Sequence, residues 1–235
     1  METSVEAKKD IEPHHSVMLI PYDPRFYLSD ADKDIVNETK KDPELIRNTF
    51  HNRTEWFVFR ELKKKNLAVS LLQHDTLENY IKAAGMVFNT TSFEYAKPMQ
   101  PPLETINKTL FNKEKTKVED DSRIASQYLN SKNNEYMNAV VHKKEVLQKL
   151  YENFGTDFFV FLTQFEITTN YKACLDIANQ IYQREVRLHF SVYDKTGKQI
   201  AGNYAVSLIP TSTNHMDDII SNCFPQIAEG IAASF

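Results

Sequence analysis

The chain has 235 residues, and 41% of them are hydrophobic, which suffices for a packed core in one large domain or two small ones. Its 28 basic and 32 acidic residues are interleaved and leave a formal charge of −4, so we expect no basic face and no nucleic-acid partner. The five glycines lack the spacing of a phosphate-binding loop, so we expect no nucleotide cofactor, and no other cofactor is indicated.

The polar residues 1–15 predict a flexible N-terminal tether in front of a single α/β domain over residues 16–235. No run of about 18 apolar residues occurs, so no membrane-spanning helix is expected. Export would require a leader that precedes this sequence, with or without a cysteine for a lipid anchor. Without a leader the chain is cytoplasmic.

The first part of the chain alternates between strand and helix patterns. The apolar run 17–21 predicts a buried strand, and the polar loop 22–41 follows it. Pro43 suits the first turn of a long amphipathic helix over 43–65. A strand over 67–72 and a helix over 76–88 come next. This alternation is typical of α/β folds.

The second part begins with a polar, proline-interrupted stretch and ends with strong strand patterns. In order, it predicts an insertion over 89–133, a helix over 134–153, a strand buried on both faces over 157–169, a hairpin of strands 184–194 and 198–210, and a closing helix over 214–235 that Pro225 bends or divides. The expected fold class is therefore α/β, with a mixed sheet of about five strands packed by amphipathic helices and a C-terminal hairpin before the closing helix.

An acidic stretch in the loop 22–41 partly matches a calcium-binding loop. Asp30, Asp32 and Asp34 place carboxylates at alternate positions, as such a loop requires. Ile35 then stands where the loop needs glycine, and Lys41 where it needs a bidentate glutamate. We therefore interpret the stretch as a solvated acidic loop and expect no metal site. No serine, cysteine or histidine motif for catalysis occurs, so the chain is not expected to be an enzyme.

Cys174 and Cys223 are too few for a disulfide framework and lack the paired spacing of a zinc site. Two interpretations remain open. Either the two cysteines are both buried free thiols, or they form one disulfide bridge, which would require an oxidising compartment.

The loop after the first predicted strand carries the candidate partner-binding residues Tyr22, Arg25, Phe26 and Tyr27. Loops often carry function, and exposed aromatic side chains often anchor partners. The alternative is that these aromatic side chains pack into the protein.

Three short segments resemble a known group of proteins. They are the opening strand 17–21, the apolar strand that begins at Asp157 after Gly155, and the turn of the last hairpin at 192–197. Their order is similar to that of the envelope-protein superfamily that includes the TolB N-terminal domain and the curli-secretion lipoprotein CsgG. The resemblance is one of architecture. It implies a non-enzymatic accessory or assembly factor, in the periplasm or at the outer membrane, whose partner is another envelope protein.

Two functions follow from these observations. The leading hypothesis is a cell-envelope protein that binds another protein through loops such as 22–41 or 89–133. The alternative is a small-molecule-binding or hydrolytic domain, with a pocket at the carboxyl ends of strands 17–21 and 157–169 where Asp23, Arg25 and Asp30 converge. A pocket that gathers these residues favours the alternative, and a shallow surface with exposed Phe26 or Tyr27 favours the adaptor.

Overall fold

A computed structural model of the chain describes residues 15–71, 77–99, 103–106 and 135–234. Along these residues the elements are β1 (Ser16–Ile20), a 3-10 turn (Pro24–Phe26), β2 (Tyr27–Ser29), α1 (Asp32–Thr39), α2 (Pro43–Leu62), β3 (Leu67–Ser70), α3 (Leu77–Phe88), β4 (Thr91–Ala96), β5 (Leu103–Ile106), β6 (Tyr136–Val141), α4 (Glu145–Phe154), β7 (Phe158–Asp176), β8 (Ile181–Asp194), β9 (Gln199–Pro210) and α5 (Met216–Ala232). No described helix is long and apolar enough to cross a bilayer.

Local signals set several of these boundaries. Asp42 caps α2, because its carboxylate accepts a hydrogen bond from the Glu44 amide at 2.8 Å, and Pro43 follows as the first helical residue. Gly155 ends α4 in the left-handed conformation, with φ of 66°, and donates its N–H to the Tyr151 carbonyl at 2.7 Å. α5 runs through Pro225 as one helix, so the proline does not divide it.

The main sheet is mixed and has the strand order β3-β1-β7-β8-β9-β5, with the short β2 paired beside β7. β1 is parallel to β3 and to β7, whereas β7, β8 and β9 form an antiparallel meander. β4 and β6 form a separate antiparallel ribbon. The expected mixed α/β sheet, with a C-terminal hairpin and a closing helix, is confirmed.

Both faces of the sheet are covered. On one face, apolar side chains of β1, β7, β8 and β9 pack against α1, α2 and α5 around the fully buried Phe50 and Phe165. On the other face, Met18, Phe159 and Phe161 pack with residues of α3, α4 and the β4–β6 ribbon. The domain is therefore a three-layer sandwich with the sheet in the middle.

The structure corrects several boundaries. The predicted helix over 134–153 is wrong, because its first part is β6 and only Glu145–Phe154 is helical. The loop 22–41 contains β2 and α1, and the insertion 89–133 contains β4 and β5. The predicted link between 169 and 184 is instead a continuation of β7 and β8. Residues 1–14 of the predicted tether, and 100–102 and 107–133 of the predicted insertion, lie outside the described residues.

The order of the parallel strands places a switch in chain direction at β1. From β1 the chain reaches β3 through α2 on one side, and β7 pairs on the other side. In open α/β sheets, ligands bind outside the carboxyl end of a strand at such a switch point. The loop that starts at Pro21 leaves β1 at this place.

Candidate functional site

The loop after β1 and the first turns of α2 enclose a cleft of about 460 Å³, which we call the Tyr22 cleft. It is lined by Tyr22, Pro24, Arg25, Tyr27, Glu44, Arg47, Asn48 and His51. Three of the four residues predicted from the sequence to bind a partner therefore share this one cleft.

Asp23 organises the entrance of the cleft. Its carboxylate accepts the Arg25 backbone N–H at 2.9 Å, which caps the short 3-10 turn, and pairs with Arg25 Nη2 at 2.6 Å. The hydrogen bond from the Arg25 side chain is the main reason why the pKa of Asp23 is lowered. Asp23 is thus a carboxylate at neutral pH, and Arg25, with 83% of its side chain exposed, stays charged beside it.

Tyr22 forms the inner wall and is only 1% exposed. Its ring meets the His51 ring edge-on at 4.7 Å between centroids, and its carbonyl accepts a hydrogen bond from His51 Nε2 at 2.9 Å. The Tyr22 hydroxyl is buried and has no hydrogen-bond partner among the described residues. Burial, and to a lesser degree the neighbouring Tyr27, raises the pKa of Tyr22 well above its ordinary value.

The other two predicted residues are half-buried and packed. The Tyr27 ring stacks on Phe165, and its hydroxyl donates to Asp32 Oδ1 at 2.6 Å; burial is the main cause that raises its pKa. Phe26 packs on Phe93, with ring centroids 4.8 Å apart. Neither aromatic side chain stands free in solvent, and a partner-binding role for these residues stays a prediction.

Asp30 does not join Asp23 and Arg25 but lines a second cleft of about 610 Å³, which we call the Arg184 cleft. The Arg184 side chain is 1% exposed; its Nη2 pairs with Asp34 at 3.0 Å and its Nη1 donates to Asn214 at 2.7 Å. The Asp30 carboxylate accepts the Thr169 amide at 2.7 Å. A buried guanidinium with these partners anchors the start of α1 to β8.

The three carboxylates of the calcium-like stretch are therefore engaged separately. Asp30 binds Thr169, Asp34 binds Arg184, and Asp32 accepts from Tyr27. Within the described parts of the chain, no three histidine, cysteine or carboxylate groups come close enough to hold a metal ion.

The β7–β8 hairpin extends beyond its neighbours in the sheet. β9 pairs with β8 only as far as Gln183, and β2 pairs with β7 only as far as Ile167. We call residues 171–181 the hairpin tip. It carries the exposed apolar side chains Tyr171 and Ile177, with exposures of 71% and 84%. The sequence predicts only a link for this segment, although apolar residues continue on both sides of the turn.

A buried polar layer lies between the β4–β6 ribbon and the main sheet. The Met137 N–H donates to His189 Nδ1 at 2.8 Å, and the Ala139 N–H donates to Ser191 Oγ at 3.1 Å. Tyr193 returns a hydrogen bond to the Ala139 carbonyl at 2.6 Å. Side chains of β8 thus satisfy the β6 backbone where a neighbouring strand would otherwise do so.

His189 is neutral in this layer. A backbone N–H only donates, so Nδ1 must carry a lone pair and Nε2 the proton. Nε2 lies 3.7 Å from Glu166 Oε2, which is beyond hydrogen-bond range. Burial is the main cause that lowers the pKa of His189, and Glu166 opposes it only in part.

Both cysteines are free thiols, with Cys174 exposed on the hairpin tip and Cys223 buried in α5. The interpretation that they form a bridge is therefore wrong, and so is the burial of Cys174. Burial raises the pKa of Cys223 to about 12, so this thiol stays protonated.

Comparison with protein-family models, with characterised proteins and with solved structures finds no match for this chain. The resemblance to the TolB and CsgG superfamily therefore stays a prediction made from the sequence.

Proposed function

We propose that this chain is an accessory protein that works by binding another protein, and that the hairpin tip is the surface it uses. The observation that carries the proposal is the exposure of Tyr171 and Ile177, which are the two most exposed large hydrophobic residues described. Leu175, on the same tip, is 37% exposed. Apolar side chains grouped on a projecting element are typical of protein-binding surfaces.

The charges around the tip specify the chemistry of the partner. The tip itself carries Lys172 and Asp176, and the neighbouring Arg184 cleft is lined by Asp30, Asp34 and Arg184, so the two together carry a net charge of −1. Hydrogen bonds from Asn179 lower the pKa of Asp176, which keeps it charged. We therefore expect a protein that presents an apolar patch next to basic side chains.

The setting follows from the resemblance. If the chain is an envelope protein, the partner is another periplasmic or outer-membrane protein. The gene tests this part of the proposal, because a hydrophobic leader upstream of Glu2 supports it and a native start at Met1 without a leader overturns it.

The surface is tested by site-specific cross-linking in the cells that carry the gene. We would place p-benzoylphenylalanine at position 177 and, as a matched control, at position 67, where Leu67 is 67% exposed on the far edge strand β3. We expect a defined adduct with a second protein from position 177 only. Equal adducts from both positions, or none, would contradict the proposal, as would an adduct formed only with a second copy of this chain.

The protein found in the adduct is then purified and titrated with the whole chain. Ile177→Asp places a charge in the centre of the proposed surface, so we expect the Kd to rise by about tenfold or more. Leu67→Asp changes an exposed leucine in the same way, and we expect the wild-type Kd. A wild-type Kd for Ile177→Asp would refute the assignment of the surface.

A further inference from the structure

Tyr22, one of the residues that line the Tyr22 cleft, has a buried hydroxyl that no other described residue pairs. Tyr22 lines the cleft and is 1% exposed, and its hydroxyl lacks a hydrogen-bond partner among the residues described. Buried polar groups are nearly always paired in folded proteins, because an unpaired one lowers stability. The hydroxyl oxygen is closed to solvent, so a ligand in the cleft pairs with it only if the Tyr22 ring shifts toward the cleft.

Two guanidinium groups line the same cleft and are only partly used. Arg25 binds Asp23 through Nε and Nη2, and this contact does not involve Nη1. Arg47 reaches Asp32 only at 3.4 Å, a long contact, and 57% of its side chain is exposed. Planar guanidinium groups with free donors match a carboxylate in geometry and charge.

The remaining walls suit a small organic group. Tyr27 and His51 add flat rings, and Asn48 adds an amide. Burial and the closeness of Tyr27 both raise the pKa of Tyr22, so its hydroxyl stays protonated and is a hydrogen-bond donor. The cleft volume of about 460 Å³ lies in the range of sites for small molecules.

The cleft also stands where the sheet topology favours ligands. It opens at the carboxyl end of β1, between the parallel neighbours β3 and β7, and shares no lining residue with the Arg184 cleft. A ligand here is therefore independent of the protein partner proposed for the hairpin tip.

We propose that the Tyr22 cleft binds a small organic carboxylate, with the Tyr22 hydroxyl and the Arg25 and Arg47 guanidiniums as its donors. Glu44 is the one carboxylate among the lining residues, and it places a negative charge at the cleft. A ligand with only a positive charge would be attracted by Glu44 but repelled by both arginines. The test therefore compares an anionic ligand with a cationic ligand of the same ring.

The test is a titration of the whole purified chain with benzoate, in which binding is measured by calorimetry or by NMR. Benzyl alcohol and benzylammonium, which have the same ring and differ in charge, serve as control ligands. We expect saturable binding of benzoate at least about tenfold tighter than either control. Absent saturation with benzoate, or equal or tighter binding of benzylammonium, would overturn the proposal.

Tyr22→Phe separates binding from folding. Removal of the unpaired hydroxyl should leave the fold intact and raise the Tm, while the affinity for benzoate falls by about tenfold or more, because a donor to a charged group is lost. Arg47→Gln should weaken benzoate in the same way. Tyr151→Phe, on α4 at the opposite face, is the matched control and should bind benzoate like the wild type. Wild-type affinity in a folded Tyr22→Phe variant would refute the role of the hydroxyl.

Discussion

The buried His189 predicts how stability changes with pH. Its pKa is lowered from 6.5 because it is buried as a neutral acceptor of the Met137 N–H. As the pH falls below 6.5, the unfolded chain therefore takes up a proton at this residue before the folded chain does. The unfolded state then binds more protons, so the free energy of unfolding decreases as the pH falls.

The magnitude follows from proton linkage. One proton difference changes the free energy of unfolding by about 1.4 kcal/mol per pH unit. The loss due to His189 therefore begins near pH 6.5, approaches this slope below it, and ends when the pH reaches the lowered pKa of the folded state. The nearest carboxylate, Glu166, has a pKa lowered from 4.5, so its own loss of stability comes at more acidic pH.

The assay is urea unfolding at a series of pH values between about 8 and 5, in which circular dichroism measures the fraction of unfolded chain. In His189→Asn, the Oδ1 atom replaces the Nδ1 acceptor but takes up no proton, so we expect a flatter dependence on pH than in the wild type. His215→Asn, at an exposed position before α5, is the matched control and should keep the wild-type slope. An equal slope in His189→Asn and wild type would refute the reasoning.

Three further predictions concern packing, thiols and a helix cap. Gly202→Ala should lower the free energy of unfolding by about 1–3 kcal/mol, because a Cβ there would overlap the buried Tyr136 phenol. Gly85→Ala is the control and should not lower the free energy of unfolding, because its Cβ would lie in open space. Urea unfolding measures both variants. A thiol reagent should label Cys174 in the folded chain and Cys223 only in denaturant, and one fast-reacting thiol is the expected count. Asp42→Ala should cost about 1 kcal/mol in the same unfolding assay, and Asp42→Asn much less.

The sequence predicted those elements whose signal is local. The apolar run in β7, the alternation in β8 and β9, and the cap of α2 each depend on residues that are neighbours in the chain. The assignment failed for β6. Tyr136 and Val140 have helical spacing by coincidence, and the buried strand around them is stabilised by β4 and by side chains of β8, which no local pattern reveals.

The β4–β6 ribbon also explains why the second face of β8, which carries polar residues, is buried. Along the sequence of β8, Val186, Leu188, Phe190 and Val192 alternate with mostly polar residues, as in a strand with one apolar face, and all four lie in the core. The opposite set includes His189 and Ser191, yet it is buried as well, because β6 lies across it and uses these side chains as hydrogen-bond partners. A polar residue in an alternating strand therefore indicates a face, but its exposure depends on what covers that face.

The loop after β1 shows which part of the candidate site could not be predicted from the sequence. Tyr22 and Tyr27 lie in a polar stretch that predicted exposed aromatic anchors, but β2 pairs with β7 and brings Tyr27 opposite Phe165. This pairing joins distant parts of the chain, and it turns the aromatic residues inward to form the wall of a cleft. Arg25 pairs with Asp23, two residues earlier in the chain, and its side chain stays exposed. The partner-binding role of these residues stays a prediction, while the rings of Tyr22 and Tyr27 line the cleft for which we propose a small ligand.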